Sequence, residues 1–458
     1  MEVIEHFLTD CPAAVLVRGT LENLLRPERL ETIFAGAAKT QYTRSLAFAR
    51  LVELMAAVVI RARGSVHAAY HARGGPKAVG VACKSVYEKL RRVEPAVGAA
   101  LVAEIAADAA AAIDAFPGAK RTLLPGCEVR ILDGNHPTST EHRLEVLRQT
   151  RSGPLPCQVL AVFDPQRRLF TAIVGGEDAH AQERALCDEV LPCVRAGETW
   201  LADRNFATRK MLFGVADRDA FFVFRQHASL KATMRGRRRR IGRIDTGVVF
   251  EQEVEVVRDE GTNQERKLAC RRITIVLDKP TGAGEAEVHL LTNLPKRHKA
   301  RAVADAYRLR WRIEGHFQKL SETLRCAVAT LGYPRAALFA FAVATLASNV
   351  HAVVEAALAA AHGQEKIDEE LSHHLLVQDV AATHAGLGIA VPDSAWEPYR
   401  KARPKQLARL LLGLARRVDL SRYPKKKRGP KKPQPRKVSG SRHHHVSTQR
   451  LLEAARSH

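Results

Sequence analysis

The hydrophobic period of this chain changes near residue 128, and that change limits the folds open to it. Residues 1–120 are rich in Ala and Leu, with apolar residues three and four positions apart, which predicts helices. From Glu128 onward apolar and polar residues alternate, which predicts strands. We expect strands at residues 129–133, 159–163, 169–174, 199–202 and 220–224, with helices at 179–194 and 209–215. The pattern predicts an α/β domain that follows a helical one.

The net charge of +23 is concentrated near the carboxyl end. Residues 401–458 contain 18 Lys and Arg against two acids, so they carry 18 − 2 = +16, and residues 1–400 carry 23 − 16 = +7. A proline-interrupted basic run predicts a disordered tail that contacts nucleic acid phosphates without reading sequence. The run begins with Lys425, Lys426, Lys427 and Arg428. A solvated, solubilising terminus is the alternative.

Two further basic clusters lie inside the body of the chain. A Gly-Gly-Pro break at residues 74–76 precedes a short helix predicted at residues 79–93, whose cations are Lys84, Lys89, Arg91 and Arg92. This is the outline of a helix-turn-helix DNA reader, although the outer face of an ordinary helical bundle has the same pattern. The second cluster is expected on a loop at residues 235–243 and includes Arg237, Arg238, Arg239 and Arg240.

The remaining composition favours a cytoplasmic protein. The first ten residues carry three acids and lack the basic and apolar regions of a signal peptide. Residues 336–354 are uncharged and long enough for a membrane span, but their Ala-rich content fits a buried helix better. The eight cysteines form no Cys-x-x-Cys pair, which is typical of reduced, mostly buried residues. We therefore expect no membrane partner.

Two aspartates end predicted strands. Asp133 ends the strand at residues 129–133, and Asp203 follows the strand at residues 199–202. An acid where a buried strand leaves its sheet is held on a rigid element, and two such acids can converge on a metal ion. A turn at Asp133 and an N-cap at Asp203 are the simpler alternatives.

One glutamate lies on a long helix predicted at residues 302–326. Tyr307, Arg310 and Glu314 share one face of it, because spacings of three and four bring side chains together. Taken alone, this stripe could be a solvated ion pair. Its context is Asp133, then Asp203 70 residues later, a β-rich block at residues 226–297, and Glu314 111 residues after Asp203.

This arrangement resembles the DDE insertion-sequence transposases, which are built on a ribonuclease H-like fold. The motif Tyr307-x2-Arg310-x3-Glu314 is similar to the YREK signature of insertion sequence family 4. The resemblance runs from about residue 10 to residue 432. The other blocks that look like that family's are Asp133-Gly134-Asn135, Glu141-His142-Arg143-Leu144, Asp203-Arg204-Asn205-Phe206 and Leu291-Thr292-Asn293-Leu294-Pro295.

One position departs from the signature. The family places Lys seven residues after the glutamate, where this chain has Ser321. Lys319 is about 140° around the helix from Glu314, so it does not replace the missing cation, and Arg325 returns to the correct face roughly three turns away.

The resemblance implies a metal-dependent enzyme that hydrolyses and transesterifies DNA phosphodiesters. Asp133, Asp203 and Glu314 are expected to hold two Mg²⁺ ions, with Mn²⁺ as a substitute and Asp133 as the bridge. Three carboxylates suit such hard cations, which can activate water and stabilise the leaving oxygen. Tyr307 and Arg310 are implied to hold DNA near the cleaved strand, and Arg325 and the three basic clusters are further candidate DNA contacts.

The partners implied are double-stranded DNA, both as transposon-end inverted repeats and as target, and a second copy of the chain in a synaptic homodimer on the bacterial nucleoid. Two alternatives remain: a catalytically silent DNA-binding relative, and a ribonuclease H-like nuclease without strand transfer.

The expected fold is α/β: a ribonuclease H-like mixed sheet with flanking helices, a β-rich insertion, an amino-terminal helical domain and a basic carboxyl-terminal tail. The expected segments are a helical DNA-binding domain at 1–120, the first part of the catalytic domain at 121–225, the insertion at 226–297, the glutamate-bearing helices at 298–362, a helical region with a possible dimerisation role at 363–423, and the tail at 424–458.

Overall fold

The computed structural model of the chain describes residues 2–41, 45–118, 124–138, 140–259, 265–282, 284–426 and 445–457. The described part is a mixed α/β structure with one large mixed sheet and many helices.

The amino-terminal region is helical, as its hydrophobic period predicts. Proline stands in the first turn of four of its helices, where its missing N–H costs nothing. The helices are α1 (Glu2–Asp10), α2 (Pro12–Leu24), α3 (Pro27–Ala37), α4 (Phe48–Val59), α5 (Val66–Ala72), α6 (Gly75–Val79), α7 (Cys83–Arg92) and α8 (Pro95–Asp114).

The sheet begins with β1, and the alternating pattern after residue 128 correctly predicts its first strands. They are β1 (Glu128–Asn135), β3 (Gln158–Asp164), β4 (Leu169–Gly176), β5 (Glu198–Ala202) and β6 (Phe221–Arg225), with the helices α9 (Glu145–Arg148), α10 (Cys187–Val190) and α11 (Arg209–Ala216) between them. The short strand β2 (Pro154–Leu155) precedes β3 in the chain and lies outside this sheet. The spatial order is β4-β3-β1-β5-β6, in which β1, β5 and β6 are parallel and β3 is antiparallel to β1.

The helix predicted at residues 179–194 is wrong as a single element. A 3-10 turn (Glu183–Leu186), the one-turn α10 and a second 3-10 turn (Leu191–Cys193) take its place. Pro192 lacks an N–H and cannot continue an α-helix.

The β-rich block continues the same sheet, because β11 pairs with β6. Its strands are β7 (Thr233–Met234), β8 (Arg239–Ile244), β9 (Gly247–Asp259), β10 (Glu265–Leu277) and β11 (Glu287–Thr292). The loop predicted at residues 235–243 is therefore partly wrong, since Arg239 and Arg240 lie on β8. Pairing with β9 stabilises this strand, where Glu251 forms an ion pair with Arg239.

The long helix predicted at residues 302–326 is interrupted. It consists of α12 (Ala300–Arg308), a 3-10 turn (Leu309–Trp311) and α13 (Arg312–Glu322). The tighter turn carries Arg310, whose guanidinium is bound by Asp133 on the facing strand.

The uncharged stretch lies in α14 (Pro334–His362), a core helix that packs against α8 and the sheet, as its Ala-rich sequence predicts. By length and composition alone, α8 and α14 are the two described helices apolar enough to cross a membrane, and α14 is almost entirely buried in the protein. The remaining helices are α15 (Gln364–Glu370), α16 (His373–Ala390), α17 (Glu397–Arg400) and α18 (Pro404–Ala415).

The tail predicted as disordered from residue 424 to 458 is partly wrong. Residues 445–457 fold back onto the body of the protein, where β12 (Val446–Ser447) pairs with β2 in a separate two-stranded sheet and α19 (Thr448–Ala454) packs on α9. Asp178 fixes this segment by accepting hydrogen bonds from Ser447 Oγ (2.6 Å) and Arg450 Nε (2.8 Å). Lys427 and Arg428 lie outside the described residues.

Candidate active site

Asp133 and Asp203 occupy equivalent positions on adjacent parallel strands. Leu132 of β1 is opposite Ala202 of β5, and each aspartate is the next residue. Because side chains alternate between faces, and Leu132 and Ala202 belong to the core on the other face, both aspartates point to the face covered by α12, α13 and α14.

Backbone amides orient both carboxylates. Asp133 Oδ1 accepts from the Gly134 amide (3.0 Å), and Asp203 Oδ1 accepts from the Asn205 amide (2.8 Å). The second bond makes Asp203 the N-cap of a 3-10 turn (Arg204–Phe206). The cap role considered from sequence therefore exists alongside the position beside Asp133.

Arg310 joins the sheet to the glutamate helix. Its Nη1 donates to Asp133 Oδ2 (3.0 Å) and its Nη2 to Glu314 Oε1 (3.2 Å), while only 11% of its side chain is exposed. Tyr307 is buried, contacts Arg310, and has its pKa raised to about 12 by burial. The stripe of three residues predicted from spacing is present, and it is turned toward Asp133.

The electrostatics of Asp133 reflect its burial. Burial raises its pKa to about 6, and Arg310 and the Gly134 amide offset part of that effect. The charges of Asp203 and Glu314 raise the pKa of Asp133 further, because neighbouring negative charges disfavour its ionised form.

The donor set fits a hard divalent cation. Carboxylate oxygens are the ligands that such cations prefer. Asp133 and Asp203 follow paired residues of β1 and β5, and Arg310 binds both Asp133 and Glu314, whose side chain is 55% exposed. Within the described residues no group of three or more His, Cys, Asp or Glu side chains is arranged to hold a metal ion. The Arg310 guanidinium lies between Asp133 and Glu314 and supplies the positive charge there.

A further acid, Glu183, lies beside the Asp133 block. Glu183 packs directly against Gly134, so closely that a methyl group on Gly134 would overlap its carboxylate. Glu183 also accepts a hydrogen bond from Asn205 Nδ2. In the sequence, the two partners of Glu183 are Gly134, the small residue after Asp133, and Asn205, two residues after Asp203. Both lie inside the blocks that support the resemblance.

Sequence reasoning missed Trp311, which directly follows Arg310 in the chain and is 61% exposed. An exposed tryptophan on this stripe is a flat apolar surface beside the carboxylates.

The helix-turn-helix candidate consists of α5, α6 and α7, and its four predicted cations differ in availability. Lys84 and Arg92 are exposed on α7. Arg91 is exposed and lies over the Tyr333 ring, with 4.4 Å to the centroid. Lys89 is half-buried over the Phe34 ring, with 4.8 Å to the centroid, and burial lowers its pKa.

The other predicted DNA contacts are spread over the surface. Arg237 is exposed just before β8 and Arg240 is exposed on β8, whereas Arg238 pairs with Glu287. Lys426 is exposed. Arg325 Nη1 donates to the Gly64 carbonyl (2.7 Å), and Lys425 Nζ donates to the Asp368 carbonyl (2.7 Å). These residues do not form one cluster with the acids.

Comparison with known proteins gives one family. Residues 150–350 match the family model described as the transposase DDE domain, which supports a DDE transposase. The matched segment contains Asp203 and Glu314, and Asp133 precedes it. No curated protein matches the chain. Among solved structures, a cryo-EM structure of the piggyBac transposase synaptic complex with hairpin DNA has a TM-score of 0.39 and 10% identity over 93% of this chain and 88% of that chain.

Proposed function

We propose that this chain is a transposase of insertion sequence family 4, which cuts DNA at the ends of its element and joins the freed 3′ hydroxyl to target DNA. One observation carries the proposal. Asp133 and Asp203 stand side by side on parallel strands and face Glu314 across Arg310, in a chain whose residues 150–350 match the transposase DDE domain.

Asp133, Asp203 and Glu314 would hold the two divalent cations, Mg²⁺ or Mn²⁺. Bound there, such ions activate a water molecule, stabilise the leaving oxygen and offset charge on the reacting phosphate. The sheet fixes Asp133 and Asp203, whereas exposed Glu314 is free to adjust. Until cations bind, the Arg310 guanidinium offsets the negative charges of Asp133 and Glu314.

Arg310 is suited to a second task, because its Nε is buried and has no hydrogen-bond partner among the described residues. An unpaired buried donor beside the acids favours an incoming phosphate oxygen. Tyr307 holds the guanidinium from behind, and Trp311 offers its exposed ring to a base near the cleaved strand.

We further propose that β4, β3, β1, β5 and β6 form a ribonuclease H-like core, with the segment boundaries expected from sequence. The partners would be transposon-end and target DNA and a second copy of the chain in the synaptic complex, in the bacterial cytoplasm on the nucleoid.

The test is cleavage of DNA carrying the element's own ends by the purified full chain in Mg²⁺. Asp133→Asn, Asp203→Asn and Glu314→Gln should each lower the rate at least about 1,000-fold, since each removes a ligand charge. Glu322→Gln, an exposed acid on the same helix, is the matched control and should cleave normally. Wild-type rates in the three acid variants would refute the triad.

The products separate the alternatives. Transposase activity requires end DNA joined to target through its 3′ hydroxyl. Cleavage without joining would identify a nuclease, and end binding without metal-dependent cleavage would identify a silent DNA-binding relative.

A further inference from the structure

The carboxyl ends of α4 and α13 lie next to each other. One arginine follows each helix and binds the other segment. Arg61 follows α4, and its guanidinium donates to the last carbonyls of α13: Nε to Thr323 (3.2 Å), and Nη2 to Ser321 and Glu322 (both 3.0 Å). In return, the Arg325 amide donates to the Val59 carbonyl (2.8 Å) and Arg325 Nη1 to the Gly64 carbonyl (2.7 Å). We name this reciprocal contact of Arg61 and Arg325 the arginine clasp.

The clasp supplies hydrogen-bond donors where two helix ends have unpaired carbonyls and partial negative charge. The last four carbonyls of a helix have no partner within the helix, and the end carries roughly half a negative charge. Two such ends in contact would repel. The Arg61 guanidinium places a positive charge at the end of α13, and the Arg325 amide satisfies the Val59 carbonyl at the end of α4. Without the clasp, α13 would have exposed carbonyls at one end and, at the other, the 3-10 turn that carries Arg310.

Arg61 adopts a backbone conformation that is uncommon for its residue type. Its φ is +63°, in the left-handed region where a side chain other than Gly is disfavoured. Two hydrogen bonds close the turn around it, from the Arg61 amide to Val58 (3.1 Å) and from the Arg63 amide to Ala57 (2.9 Å). This turn takes the chain off the axis of α4 at the residue whose side chain reaches α13. Strain of this kind persists only where the surroundings hold it.

We propose that Arg61 is a positioning residue for Glu314. Glu314 is on the first turn of α13, and Ser321, whose carbonyl Arg61 binds, is seven residues later or roughly 10 Å along the axis. Arg61 therefore fixes the end of the helix that carries the glutamate. It also ties this helix to the segment that leads, through Gly64, into α5 of the helix-turn-helix candidate. The inference rests on the proposed function, because it assigns Arg61 to the site of that reaction.

The experiment compares Arg61→Ala with Arg63→Ala, an exposed arginine two residues away that donates to its own neighbour Ala62. Both lose one positive charge, and only the first breaks the clasp. In single-turnover cleavage at saturating end DNA and Mg²⁺, R61A should be slower by about 10- to 100-fold, because a small displacement of a reacting group costs that much. R61A should bind end DNA within about 2-fold of R63A. Arg61→Lys, which keeps the charge and some donors, should recover part of the rate.

A second readout needs no cleavage. Amide hydrogen exchange across α13 in the DNA-free protein should be about five-fold faster in R61A than in wild type, as expected for a lost helix cap, with no change in β1 or in R63A. Unchanged exchange and an unchanged cleavage rate would overturn the inference. A fall in rate matched by an equal fall in DNA affinity would also overturn it, because Arg61 would then be a DNA contact.

The two proposals fail separately. A wild-type chain that cleaves no end DNA would refute the proposed function. Faster exchange of α13 in R61A would then still support the clasp as the device that fixes this helix.

Discussion

Asp133 combines burial, an ion pair and two neighbouring acids in one side chain. Its pKa of about 6 means that it keeps a proton at a pH where an exposed aspartate has lost it. Arg310 limits this shift by pairing with the ionised form. The residue is thus poised to ionise fully when further positive charge arrives.

The pH dependence of cleavage should report this group. At low Mg²⁺ the single-turnover rate should fall as the pH drops through about 6, because protonated Asp133 binds cations poorly. Raising Mg²⁺ should move the fall to lower pH, since the ion competes with the proton. Rates measured between roughly pH 5 and 8 at two Mg²⁺ concentrations check both points. A midpoint that ignores Mg²⁺ would contradict the assignment.

Gly134→Ala tests whether the contact between Gly134 and Glu183 matters for cleavage. The added methyl group overlaps the Glu183 carboxylate, so Glu183 and its partner Asn205 must shift. We expect cleavage about 10-fold slower or worse, and recovery in the double variant Gly134→Ala/Glu183→Ala. Gly315→Ala, beside Glu314, is the control, since a methyl group there meets no described atom within 4 Å. Equal effects of the two alanines would show that the contact is irrelevant.

Among the elements, α13 is held on its inner side by a buried ion network. Lys319 is turned away from Glu314, as its 140° offset predicts, and donates to Glu355 of α14 (3.1 Å). Arg168 (3.0 Å) and His373 (2.8 Å) complete the network from the β3–β4 turn and α16. Burial acts to raise the Glu355 pKa, but these cations outweigh it and lower the pKa well below its usual value.

Glu355→Gln should therefore cost about 1–3 kcal/mol of unfolding free energy near neutral pH, because it removes the negative charge that pairs with Lys319 and Arg168, while Asp368 still pairs with Arg168. The contribution of Glu355 is present above the pKa of an unfolded glutamate and is lost as the pH falls through its lowered folded value. The deficit of the variant should accordingly shrink in acid. Urea denaturation of wild type, E355Q and the exposed control Glu322→Gln would measure it, and a loss as small as the control's would disprove the network's role.

The elements that sequence predicts are those with a clear hydrophobic period. Buried strands such as β3 and β5, and the helix α14, follow from composition and alternation. The helix expected at residues 179–194 is replaced by short turns around Pro192, and Asp178, which precedes it, binds residues 447 and 450, a contact about 270 residues away in the chain. The order of the acids is readable from spacing, but the position of Arg310 between them depends on the register of β1 with β5 and on the break before α13.

Arg61 and Arg130 are two further residues whose contacts cannot be predicted from the sequence around them. Arg61 has no signature in its neighbourhood, since its partners are carbonyls 260 to 263 residues later. The buried Arg130 likewise draws on Asp164 and Glu198 from two other strands. Such contacts require the fold before they can be recognised.

At the scale of the whole molecule, the positive charge is divided between paired arginines and a separate basic stretch. Residues 427–444 contain seven Lys and Arg, and the described chain is anchored on both sides of them, at Lys425 and at β12. Replacing them with a neutral Gly/Ser linker of equal length keeps both anchors. We expect the slope of log affinity against log salt for DNA binding to fall by up to roughly 6, about 0.9 for each lost phosphate contact.

Ser447→Ala is the control for that linker, because it removes a hydrogen bond to Asp178 without changing the charge. It should leave the salt slope unchanged. Fluorescence anisotropy with a DNA duplex at several salt concentrations gives both slopes, and a linker variant with the wild-type slope would show that the basic stretch does not grip DNA.

The continuity of the sheet has a geometric consequence for any bound duplex. From β5 the order runs through β6, β11 and β10 to β9, which pairs with the arginine-bearing β8. Neighbouring strands are rotated by roughly 20–25°, so four steps turn β9 by roughly 80–100° from β5. Asp203 follows β5, and Arg240 lies beside β9. A straight duplex cannot follow the strand direction at both Asp203 and Arg240. A duplex that touches both residues must therefore bend, or cross the sheet at an angle that the twist of the sheet determines.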